Sequence, residues 1–80
     1  MLKPDPLVWD GPLPHPLGAA LFSWRAIDFG QTSYCIIHDE ICDEWAASRK
    51  IGNQPAHVFP DLVFSLDDAK RLCERKRFDA

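Results

Sequence analysis

Hydrophobic and polar positions alternate through residues 20–28, with Ala20, Phe22, Trp24 and Ala26 on one face. Ser23 and Arg25 fall on the other, punctuated by Leu21 and Ile27. A period of two is that of a strand with one buried face. Phe29-Gly30-Gln31-Thr32 reads as a turn. Residues 33–38, rich in Tyr34, Ile36 and Ile37, read as a second strand. Residues 39–51 fit two patterns. As a helix they offer Asp39 as N-cap, Arg49 and Lys50 late and Gly52 beyond the end, with Ile37, Ile41, Trp45 and Ser48 on one face. As a strand, Trp45, Ala47, Arg49 and Ile51 alternate against Ala46, Ser48 and Lys50 after a polar turn at 39–44. The strand is preferred, because two strands alone make a marginal sheet.

After a loop at 52–60 and a short apolar lead-in at 62–64, the period lengthens to that of a helix. Ser65 is its N-cap, and Asp68 stands at the third helical position, as in an acidic capping box. Asp67 and Asp68 oppose the positive end of the helix dipole, and Arg75, Lys76 and Arg77 suit the negative end. Leu66, Ala69, Leu72 and Cys73 form the stripe expected to pack on the sheet.

Residues 1–18 hold five of the seven prolines, which bars a helix or a central strand there. An extended arm is expected, with Leu2, Leu7, Val8, Trp9, Leu13 and Leu17 as side chains to bury. No two of its prolines are three apart, so the PxxP spacing of an SH3 ligand is missing. The expectation is an α+β domain over 19–80: three antiparallel strands, the C-terminal helix on one face, and the arm draped over the remaining apolar surface.

Eighty residues make one small domain. An apolar content of 46% is too high for a disordered chain. A net charge of −3 makes direct nucleic-acid binding a poor prior. No apolar run is long enough to span a bilayer, and no signal-peptide core is present, so a cytoplasmic location is expected. Three cysteines cannot all pair within one chain and read as reduced thiols.

Four constellations carry candidate chemistry. Asp39, Glu40, Asp43 and Glu44 put four carboxylates within six residues, a local field that steers a basic partner; Trp45 follows as an apolar anchor. Cys35, His38, Cys42 and His57 are residue types that suit zinc. In a strand, however, Cys35 and His38 point to opposite faces, so packing for Cys35 and solvent exposure for His38 are expected. A Cys–His nucleophile pair lacks a helix-start cysteine and a glycine-rich elbow, and the short chain leaves little wall for a cleft, so no enzymatic activity and no cofactor are expected. Lys70, Arg71, Arg75, Lys76 and Arg77 form a basic helix that could contact nucleic acid, but Asp67, Asp68 and Glu74 lie within helical reach of it.

From Trp24 onward, an aromatic strand, the Tyr34-Cys35-Ile36-Ile37 strand, Trp45-Ala46-Ala47-Ser48-Arg49 and the Ser65-Leu66-Asp67-Asp68-Ala69-Lys70 helix start resemble small bacterial and phage proteins, among them anti-CRISPR proteins. Over about 55 residues the resemblance is one of style, since a meander followed by a capped helix recurs on many functions. It implies a non-enzymatic protein-binding module, an inhibitor that sterically blocks a host nucleic-acid-processing complex such as a CRISPR effector through its basic surface. The alternatives are a small metal-binding regulatory domain and a nucleic-acid binder using the basic helix. A free edge strand or an exposed tryptophan is also compatible with a homodimer.

Overall fold

The period-two stretches pair with their sequence neighbours, and the helix lies across them, in a computed structural model that describes residues 5–78. The elements are β1 (Asp10–Pro14), β2 (Leu21–Ile27), β3 (Thr32–Asp39), β4 (Glu44–Ile51), β5 (His57–Val58) and α1 (Leu66–Lys76). The strands form one antiparallel sheet in the order β1-β2-β3-β4-β5. The chain is thus α+β with one C-terminal helix, but its sheet has five strands rather than three.

Both added strands come from segments whose composition hides them. β1 lies inside the proline-rich stretch, where Pro12 and Pro14 cannot donate to a ladder. It is an edge strand, bonded to β2 alone and irregular between Asp10 and Leu13. Gly11 sits there at φ +141, and a Cβ on it would meet the Ser23 carbonyl oxygen at 2.7 Å and the Trp24 ring at 2.8 Å. Only glycine lets this backbone approach β2 so closely. β5 is two residues within the expected loop, set against Ser48 and Arg49 of β4 and continued by a bond from the Phe59 N–H to the Ala47 carbonyl, 2.9 Å.

The register builds the core. Trp24, Ile36 and Ala47 stand side by side across β2, β3 and β4, with Ala26 and Tyr34 in the adjoining row. Ile36 and Tyr34 are fully buried on this face, and Ala69, Leu72 and Cys73 of α1 close over it with Phe59. α1 begins as expected, with the Asp68 N–H donating to Ser65 Oγ at 3.1 Å.

The arm behaves differently from the expectation. Leu7 joins the core on the helix side, its N–H bonded to the Glu74 carboxylate at 2.6 Å, and Trp9 packs beside it. Leu13 and Leu17 stay exposed. Because its middle is an edge strand, the arm cannot lie over the far face of the sheet, which stays uncovered. Leu2 falls outside the described residues.

A candidate partner-binding surface at an acidic hairpin

Residues 39–44 close the hairpin between β3 and β4, and local bonds fix their shape. Asp39 Oδ1 accepts from the Ile41 N–H at 2.9 Å and from the Cys42 N–H at 3.3 Å, an Asx turn. Asp43 takes the left-handed conformation, φ +52, which aspartate tolerates better than most side chains. The Glu40 N–H reaches back to the Ala20 carbonyl, 3.0 Å, and ties the hairpin to the start of β2.

The residues of the acidic cluster come together here. Asp39 and Glu44 are direct partners across the ladder, so two like charges face each other at its last rung. Like charges directly opposite destabilise a sheet. No lysine or arginine of the described residues makes an ion pair with Asp39, Glu40 or Glu44. Ile41 crowns the turn, 83% exposed.

Behind the tip stands an aromatic stack. The His38 ring lies 3.8 Å from that of Trp45, nearly parallel at 9°, and Trp45 stacks on Trp24 at 5.6 Å. His38 Nε2 meets Asp43 Oδ1 at 2.9 Å. Its side chain is 17% exposed, which corrects the expectation of a solvent-exposed histidine. The clue was parity: His38 and Trp45 are cross-strand partners, as the strand reading of 39–51 implies, and so share a face. Trp45 is therefore a half-buried support for the hairpin as much as a contact residue.

A groove of about 270 Å³ runs beside the tip, lined by Asp43, Glu44, Trp45, Asp61 and the segment from Leu62 to Phe64. Leu62 and Phe64 flank it, 84% and 75% exposed, while Val63 between them packs on the core. The sequence marks this segment only as a lead-in to α1, because Leu62, Val63 and Phe64 form an unbroken apolar run in which no alternation shows which of them enters the core. Carboxylates beside exposed apolar side chains match a lysine or arginine whose hydrocarbon stem also needs cover.

The other constellations are dispersed or occupied. Cys35 and His38 lie on opposite faces of β3, and His57 stands on β5 edge-on to Phe59. Among the described residues no group of three or more His, Cys, Asp or Glu side chains is placed to hold a metal ion. All three cysteines are free. The charge of Asp39, ahead of desolvation and the charge of Glu44, pushes the Cys42 thiol upward. Burial pushes Cys35 up, and burial with the charge of Glu74 pushes Cys73 up to about 12. All three shifts oppose the thiolate that nucleophilic or metal chemistry requires.

The basic end of α1 is largely neutralised, and mainly by residues far along the chain. Asp61 faces Arg75 at 3.4 Å and Lys76 at 3.6 Å. Arg77, its side chain 5% exposed, grips Asp28 through Nε and Nη2, both at 3.0 Å, and gives Nη1 to Glu74 and the Asp5 carbonyl. Of the five basic residues only Lys70 and Arg71 have no ion pair among the described residues. No helix of the described residues is long and apolar enough to cross a membrane.

No protein-family model matches the chain, and no curated protein or solved structure matches it.

Proposed function

We propose that the chain is a non-enzymatic protein-binding module whose acidic hairpin and adjoining apolar groove engage a basic surface of a partner protein. The observation that carries this reading is the Asp39–Glu44 rung. A ladder that ends on two facing carboxylates, with Glu40 beside them and no lysine or arginine of the described residues paired to any of the three, gives up local stability and holds a negative field in a fixed place. Such a field speeds encounter with a positive surface. Ile41, Leu62 and Phe64 supply apolar area around it.

The partner class follows from the style resemblance of the sequence: a nucleic-acid-processing complex whose basic surface normally holds DNA or RNA, blocked by occupancy in the cytoplasm of a bacterial host. The upward thiol shifts and the engagement of His38 by Asp43 and Trp45 support a role without catalysis. The test is capture of partner complexes from bacterial lysate by the tagged protein and by its Glu40→Lys/Ile41→Ser variant. The reading expects stoichiometric recovery of such a complex by the parent chain and its loss with the variant.

A further inference from the structure

The face of the sheet turned away from α1 is bare, and its charges are sorted along the strands. At one end Asp39 and Glu44 adjoin; at the other, Lys50 stands opposite Ser33. On β3 and β4 the middle rungs carry small or short side chains, Ile37 beside Ala46 and Cys35 beside Ser48, and β2 continues them with Ser23 and the longer Arg25. Neither Glu44 nor Lys50 has an ion-pair partner among the described residues, and both are exposed.

We propose that this face docks a second copy of the chain, face to face, about a two-fold axis running across the strands. Such an axis leaves each strand over its own counterpart and reverses its direction. On β4 it lays Glu44 over the second copy's Lys50 and Ala46 over Ser48; on β2 it lays Leu21 over Ile27; on β3, Ile37 over Cys35. Every pair is made twice, as an isologous interface demands. The other face-to-face two-fold, parallel to the strands, would bring acidic end onto acidic end, so charge selects between them. Arg25 of β2 also belongs to this face, as cross-strand partner of Cys35 on one side and of Asp10 on the other, and the same axis lays it over Ser23 of the second copy.

Over β3 and β4 the short side chains let two sheets approach to the usual spacing of about 10 Å. Four strands about 4.8 Å apart and roughly seven residues long present about 450 Å² from each copy. That is roughly half of a standard interface, so the dimer is weak and concentration-dependent. Reversal of strand direction sends the two hairpin tips to opposite ends, leaving Glu40 and Ile41 of both copies free. The inference does not rest on the partner-binding reading, and its test needs no partner.

Sedimentation equilibrium at low salt, from micromolar to submillimolar protein, is the experiment. The parent chain is expected to pass from monomer to dimer. Glu44→Lys and Lys50→Glu, each at an exposed position, should weaken the dimer about tenfold or more when alone, because like charges then meet twice. An equimolar mixture of the two variants should recover it, as should the double variant, since opposite charges meet again in both. A monomeric parent chain overturns the proposal. So does a dimer indifferent to both substitutions, or weakening that neither mixture nor double variant reverses.

Discussion

At the scale of single residues, the least expected feature is the clamp in which Arg77 holds Asp28. The two are remote in sequence, and nothing in the local pattern of either announces the pair. A basic helix end suggested pairing within α1, yet only Glu74 supplies it, at 2.9 Å. The bond from Arg77 holds the Asp28 carboxyl below its ordinary 3.8. A lowered folded pKa contributes stability that is complete above the unfolded value and is lost as pH falls through the folded one. Acid denaturation below about pH 4 should therefore be shallower in Asp28→Asn than in the parent chain. Arg77→Ala is expected to cost about 2 kcal/mol in urea denaturation, below the figure for fully buried pairs because both carboxylates keep some access to water. The thiols separate by the same reasoning. With N-ethylmaleimide at pH 8, Cys42 should react first and faster as salt screens Asp39, whereas Cys73 should wait for unfolding.

At the scale of elements, what could be read was what local patterning specifies. The α1 cap follows from Ser65 and Asp68 alone, and Ser65→Ala should lower stability by about 1 kcal/mol. The meander of β2, β3 and β4 follows from period two, and the choice of strand over helix for 39–51 matches the structure because the Asx turn at Asp39 reverses the chain there. β1 and β5 were not legible. Prolines mask the first, which exists because β2 offers it a free edge. The second is too short to have a period and depends on Phe59 entering the core. The acidic turn was visible as composition, but its register was not: only the pairing of Asp39 with Glu44 reveals the repulsion. At dilution, where the chain is monomeric, Glu44→Lys should turn that repulsion into attraction and raise thermal stability by a few tenths of a kcal/mol.

At the scale of the whole molecule, one sheet divides its duties by face and by end. The helix side holds the core, the bare side carries sorted charge, and the β3–β4 end projects carboxylates and Ile41 over a groove edged by Leu62 and Phe64. Sequence reading found the charges of that end and missed its apolar edge, since Leu62 and Phe64 resemble core residues until Val63 is seen to take the core position between them. The central claim is that this end recognises a partner protein through charge. Its most direct measurement is parallel capture from bacterial lysate by the parent chain and by Glu40→Lys/Ile41→Ser, with bound proteins identified by mass spectrometry. The expected result is a stoichiometric nucleic-acid-processing complex on the parent chain, absent from an equally stable variant. Equal recovery by both, or a parent chain that retains nothing, would contradict the account.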